Sequence, residues 1–466
     1  MTQLFRILLS ISLLSISYLA ILFQFFSSME LLWVIMLCLL IALIFEYAHS
    51  KHPFFSLPPA YFSIYMILNI FISGFVYYFF NRSDITEFLI NDDYIIMGVW
   101  YTFAAIQMLW IGFYLLPDKP YRSFSKLAIS KFPLWAIHIL VSIFTISFIL
   151  GVNAGLFGYV ADPESNTWLG PVRLGISLGL IAVLALSIYH YESIRGRLYL
   201  YLVIFANAFV GVLFGSKSTV VMPLIILILS HYLMGRTIGF GIIALFVAGV
   251  IFAYAVVEPF RIYYDTIGAS GEDFTVASLV SFFFAAKSAT EGLDTQYLAD
   301  FVVRVNYTTA LGKTIEFAEQ TNTYLTEQWQ HLGLSPFYGL IPRFIWESKP
   351  LADFGLWASV EIFNLPADTK THIGITPQGF AYLVARFPGI VIFFLIYGII
   401  DRICFNSFYR VKGLLPLYIY FYFFILYPSY PIWTSVSSYI QTLIVFIPFL
   451  LVTKIFIDFE GNRVIK

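Results

Sequence analysis

Charge is scarce in this chain. Lys, Arg, Asp and Glu together make up 11% of its residues, against about a quarter in an ordinary soluble domain. So few charges cannot surface a water-exposed globule, so a soluble fold is excluded. Nucleic acid is not an expected partner. Cysteine is nearly absent too: Cys38 and Cys404 both fall in or beside apolar stretches, which implies neither a disulfide framework nor a thiolate metal site. The chain has no second soluble domain, low-complexity segment or internal repeat. It lacks His/Cys spacing suited to zinc. It also lacks the spaced acidic D-x-D pair that metal-dependent membrane glycosyltransferases tend to show in an outer loop, because Asp92 and Asp93 are adjacent.

What is present is apolar surface. Hydrophobic residues make up 60% of the chain, and the mean hydropathy is +0.84. Runs near the length needed to cross about 30 Å of hydrocarbon occur at approximately 5–26, 31–48, 59–80, 94–117, 132–153, 174–191, 198–214, 219–234, 237–257, 386–405, 414–427 and 437–457. The expected fold is therefore an all-α polytopic membrane protein of about 12 transmembrane helices, with residues 1–466 forming one membrane domain. The first run follows a single Arg6, exceeds a signal-peptide core in length and has no small-x-small cleavage pattern after it, so it reads as a retained anchor.

Orientation follows from the loops. With the N-terminus inside, Arg6, Lys51, Lys119, Arg122, Lys126, Lys131, Arg195, Arg197, Arg236, Arg402, Arg410, Lys412, Lys454, Arg463 and Lys466 fall on the cytoplasmic side. The short outer loops keep only Arg82, Arg173 and Lys217. That asymmetry obeys the positive-inside rule, and it predicts cytoplasmic termini with the long segment 259–388 facing outward between the ninth and tenth spans. A connection of that length is more than a passive linker. It holds runs such as Phe274 to Ala286, too short to cross and suited to helices at the membrane surface.

Near the end of this loop, Thr376-Pro377 reads as an N-cap with proline at the first helical position. Gln378, Tyr382 and Arg386 then recur every four residues on one helix face, until Pro388-Gly389 breaks or kinks the chain into the next span. Upstream, Arg343 and Lys349 bracket Phe344, Trp346 and Glu347 between two prolines. Aromatic rings stack on sugars and guanidinium groups grip phosphate oxygens, so this segment favours a sugar-phosphate ligand over a plain surface loop. Gly215-Ser216-Lys217-Ser218-Thr219 has two readings: a phosphate site at a helix N-terminus, or a tight turn whose lysine reaches lipid headgroups. It is not a P-loop. Arg261, just past a span, is either a rim cation or a snorkelling anchor. Arg304 and Lys313, with Glu316 and Glu319, read as a solvated helix face. For a proton acceptor His372 competes with Glu347, Asp353, Glu361 and Asp368. Asn69, Gln107, His138, Asn153 and Asn207 read as interhelical hydrogen-bonding groups. Few ionisable residues occupy span centres, which argues against a proton-coupled carrier.

With these motifs the chain resembles bacterial O-antigen and oligosaccharide repeat-unit polymerases of the Wzy type, including those of enterobacterial common antigen. The likeness covers most of the chain in architecture. It is most specific at Gly215-Ser216-Lys217-Ser218, at Ile341 to Pro350 and at Gly374 to Gly389. The resemblance implies a GT-C-like fold in the bacterial inner membrane and an inverting glycosyl transfer without metal, cofactor or nucleotide sugar. A glycan on undecaprenyl pyrophosphate would pass to the non-reducing end of another lipid-linked repeat unit, releasing undecaprenyl pyrophosphate. A chain-length regulator and a flippase are the implied partners. The family's pyrophosphate-binding cations match Lys217, Arg261 and Arg343, with Lys349 as a fourth; Trp346, Gln378, Tyr382 and Arg386 are substrate-binding candidates; and His372, Glu347 and Asp353 are catalytic candidates. Position 217 holds lysine where many members carry arginine. Related ligases place a histidine where this chain has Gln378, which lowers the alternative of glycan transfer to a final acceptor. A twelve-span transporter, the reading from a different class, lacks the long cytoplasmic connection between two halves that such carriers use.

Overall fold

The computed structural model describes residues 3–22, 28–50, 57–67, 92–119, 132–153, 169–270, 307–321, 354–366, 374–407 and 446–454, with positions 52, 54, 69, 346, 414 and 417–420. They form helices joined by turns, with no strand among the described residues. In chain order the helices are α1 (Gln3–Leu22), α2 (Ser28–His49), α3 (Pro58–Met66), α4 (Asp92–Leu115), α5 (Leu134–Asn153), α6 (Leu169–Tyr189), α7 (Ile194–Leu213), α8 (Lys217–Leu233), α9 (Phe240–Ser270), α10 (Tyr307–Thr321), α11 (Phe354–Glu361) and α12 (Pro377–Ser407). Among the described residues six helices, α1, α2, α4, α5, α7 and α12, contain stretches long and apolar enough to cross a membrane. Leu174–Tyr189, Thr219–Leu233 and Phe240–Ala253 are shorter apolar stretches.

A helix that is apolar all round must be covered all round or face lipid. α4 takes the first course, with 89% of its apolar window buried, and α1 the second, with 17%. Around α4 pack α1, α2, α3, α10 and α12, whereas α5 to α9 pack on one another. Phe132, ahead of α5, meets Tyr189 of α6 and Phe449 of the 446–454 helix, with ring centroids 6.2 and 6.4 Å apart.

Two turns in the second group follow directly from glycine. Gly215 has φ 60° and Gly235 φ 70°, conformations that cost a residue without Cβ little. At the first, Ser216 N–H donates to Gly211 O at 2.9 Å and Gly215 N–H to Val212 O at 2.8 Å. At the second, Arg236 N–H donates to His231 O and Gly235 N–H to Tyr232 O. Both are Schellman closures, and each reverses the chain between neighbouring helices.

Polar groups tie one end of the α4 group. Arg6, at the start of α1, lies 3.1 Å from Glu46, near the end of α2, and donates to Tyr114 of α4 and to the His49 carbonyl. Past α4, Asp118 stands 3.0 Å from His52 and 3.4 Å from Arg402 of α12. Asn406 donates to Pro117 O at 3.0 Å. The start of α1 thus meets the ends of α2 and α4, and the end of α12 meets the segment just past α4, so α1 runs opposite to the other three. Asp401 and Arg402 sit inside α12, buried. Arg402 lies within the run expected at 386–405, and the helix continues past the end of that run, to Ser407. Glu46, Asp401 and Arg402 all lie toward helix ends rather than centres.

The polar residues inside spans divide. His138 Nδ1 lies 3.0 Å from the Tyr199 hydroxyl of α7, an interhelical contact. Asn207 instead donates to Val203 O at 2.8 Å, and Asn69 to Tyr65 O at 2.7 Å, both one turn back. A short amide reaches the carbonyl four residues earlier more readily than a neighbouring helix. The buried Gln107 Nε2 has no hydrogen-bond partner among the described residues.

Candidate functional site

α12 begins as its sequence requires. Thr376 Oγ1 accepts from Gly379 N–H at 3.1 Å and Thr376 O from Phe380 N–H at 2.9 Å, while Pro377 at the first position has no N–H to satisfy. The helix is interrupted sooner than Pro388. Ala385 (φ −151°, ψ 32°) and Arg386 (φ 55°, ψ −148°) leave helical geometry, because the proline ring excludes the carbonyl four residues back and constrains the residue before it. The chain does not continue in line: a Cβ on Gly389 would overlap the Ala381 carbonyl oxygen, so the turn after the break lies directly against the turn before it. In a straight helix positions eight apart are about 12 Å distant.

The first half of α12 is buried from Pro377 to Leu383, so the expected polar face is enclosed rather than displayed. Gln378, with no exposure, donates to Met66 Sδ of α3 at 2.8 Å, and its Oε1 has no hydrogen-bond partner among the described residues. One turn on, the Tyr382 hydroxyl donates to Glu319 of α10. Arg386 reaches the same helix from beyond the break: Nη2 donates to Ala318 O at 2.5 Å, Nε stands 3.9 Å from Glu319, and the guanidinium lies 5.5 Å from the Tyr382 ring centroid. Tyr101 of α4 packs on Tyr382 at 5.1 Å and on Phe387 at 5.6 Å, and Trp100 on Phe387 at 5.1 Å. Trp100 also donates from Nε1 to Ser17 of α1 at 3.0 Å.

Hence four elements meet at the interruption in α12, beside the first half of α4 and away from Asp118. A carboxylate, a phenol and a guanidinium converge there, held by aromatic rings. A non-glycine residue at positive φ with ψ near −150° is strained by about 1–3 kcal/mol and persists only where its surroundings hold it. The bond to Ala318 and the contact with Tyr382 do so for Arg386. The arrangement can hold a hydroxylated ligand through the half-exposed Glu319 carboxylate.

α10 corrects the expectation of a solvated face. Leu311, Ile315 and Ala318 are fully buried, Lys313 and Glu316 pair at 2.7 Å with little exposure, and Glu319 is engaged by α12. The signal was present in the sequence as Leu311, Ile315 and Ala318 at helical spacing, but its partner lies 63 residues away.

Lys217 lies in the other helix group, at the first position of α8, half-buried. Ser216 Oγ accepts from Thr219 N–H at 3.3 Å and from the Thr219 hydroxyl at 2.8 Å, so this segment is both a tight turn and a capped helix start bearing a cation. Val220 of α8 shares an apolar cluster with Val257 and Phe260 of α9. Arg261 follows Phe260 on α9, which continues through Ser270, so the backbones of Lys217 and Arg261 are at one end of this group. The Arg261 side chain lies outside the description. Trp346 is half-buried. His372, Glu347, Asp353, Arg343 and Lys349 lie outside the described residues, as do Arg304 and Asp368. Glu361 ends α11 and is exposed. Among the described residues no group of three His, Cys, Asp or Glu converges as a metal site. No family model, curated protein or solved structure matches the chain.

Proposed function

We propose that this protein polymerises undecaprenyl-pyrophosphate-linked oligosaccharide repeat units into a surface polysaccharide, releasing undecaprenyl pyrophosphate. In this reading it is a GT-C-like enzyme of about 12 spans, in a bacterial inner membrane, with both termini cytoplasmic and the 259–388 segment outside. The observation that carries it is the junction of Glu319, Tyr382 and Arg386, where a helix of the long segment grips an interrupted membrane helix. A transferase acting on a lipid-linked donor needs fixed cations and hydrogen-bonding groups at the depth where lipid meets water. A pyrophosphate leaving group gains negative charge in the transition state, and preorganised cations stabilise it. Lys217, Arg261, Arg343 and Lys349 take that role in this proposal. Trp346 and Arg386 bind the glycan, the enclosed Gln378 and Tyr382 position the helix that carries Arg386, and one of His372, Glu347 and Asp353 accepts the proton of the attacking hydroxyl.

The test is chain length in the native host. Deleting the gene leaves cells displaying a single repeat unit, and Arg343→Ala reproduces the defect with the protein still in the membrane. Unchanged ladders in both cases reject the reading. Long lipid-linked chains that never reach their final acceptor identify a ligase instead.

A further inference from the structure

α7 begins with the wrong charge for its dipole. The N-terminus of a helix carries partial positive charge and favours anions, yet the first turn of α7 has no acidic residue and holds Arg195, with Arg197 one position beyond. Both side chains are exposed. The nearest acid in sequence, Glu192, is committed elsewhere: its carboxylate lies 3.0 Å from Arg236 Nε, while the Arg236 Nη atoms donate to Ser187 O and Ile188 O at the end of α6. Tyr191 stands between the two guanidinium groups, 5.9 Å from Arg197 and 5.5 Å from Arg236. Among the described residues Arg195 and Arg197 have no carboxylate partner.

The helix face that starts level with them is apolar. Ile194, Leu198, Leu202 and Phe205 recur at helical spacing, each at least 62% exposed. They run about 17 Å along α7, close to the depth of one leaflet of a hydrocarbon core of about 30 Å. Two cations without a carboxylate partner therefore flank the first turn of an uncovered apolar strip about one leaflet long, with Tyr191 and Tyr199 at the level where aromatic side chains anchor at an interface.

We infer that this corner binds an anionic phospholipid, its phosphate against Arg195 and Arg197 at the helix start and its acyl chains along Ile194, Leu198, Leu202 and Phe205. Charge complementarity selects the occupant: the lipid phosphate supplies the negative charge that the first turn of α7 lacks, and the strip suits an acyl chain. The site is separate from the junction of α10 with α12 and does not depend on the transfer chemistry proposed above.

The full chain, purified in mild detergent, is titrated with phosphatidylglycerol or phosphatidylcholine and bound lipid is counted by native mass spectrometry. At least fivefold tighter retention of phosphatidylglycerol is expected, weakening with salt. In Arg195→Gln/Arg197→Gln the preference disappears, whereas Arg195→Lys/Arg197→Lys keeps it. Arg195→Glu guards against misfolding: it suits the helix dipole, so the lipid-free protein melts no lower than the parent while its preference for the anionic lipid falls. Equal retention of the two lipids by the parent, or an undiminished preference in the glutamine double variant, overturns the inference.

Discussion

Gly112 of α4 and Gly398 of α12 bring two backbones into direct contact. A Cβ on Gly398 would stand 2.6 Å from Phe113 N and 2.9 Å from the Gly112 Cα, and would overlap the Leu109 carbonyl oxygen. No side chain separates the helices there, which lets α12 run close along the buried α4. Small residues allow this approach where lipid gives helices no hydrophobic reason to associate.

Gly398→Leu should therefore force the two helices apart. Overpacking of this kind costs about 1–3 kcal/mol, and more where backbone atoms are the obstacle. The expected result is a lower melting temperature in detergent and reduced folded yield. Ile396→Leu, on an exposed face of the same helix, should be neutral in the same assay.

Arg386 separates strain from function. Arg386→Ala keeps the positive φ and loses the bond to Ala318 and the contact with Tyr382, so it should destabilise by about 1–3 kcal/mol. Arg386→Gly loses the same contacts but relieves the backbone, and should melt close to the parent. If the polymerase reading holds, both abolish chain extension. A stable Arg386→Gly variant that still extends chains would remove Arg386 from the site.

At the other end of α12, Asp118 faces the nearly buried Arg402 and also His52. Asp118→Ala removes one carboxylate from that guanidinium and should cost about 1–3 kcal/mol. Arg402→Met in the same background should cost less than the two single changes added together, because the groups are coupled. Denaturation in mixed micelles measures the cycle, and strict additivity would show that the pair contributes nothing.

The turn before α8 makes two separable demands. Ser216→Ala removes the N-cap and should lose about 0.5–2 kcal/mol, with chain length unchanged in whatever protein remains folded. Lys217→Ala should leave melting nearly unaffected while shortening the polysaccharide. Lys217→Arg keeps the charge and adds bidentate geometry, so it should retain activity. Normal ladders from Lys217→Ala would exclude this lysine from donor binding.

By itself the sequence determined the class of protein. Low charge and long apolar runs leave only a helical membrane fold, and local chemistry located the cap at Thr376 and the glycine turn at Gly215 and foresaw an interruption near Pro388, which the structure moves back to Ala385 and Arg386, because caps and breaks depend on neighbouring residues. It could not determine partners. Helical spacing says which face of α10 is apolar, but not that α4 covers it or that Tyr382 takes the Glu319 carboxylate. The same limit hid the pairing of Asp118 with Arg402 and let the polar face of Gln378 and Tyr382 look displayed when packing encloses it. Only the tertiary structure decided which charges are already satisfied and which, as at the start of α7, still await an opposite one.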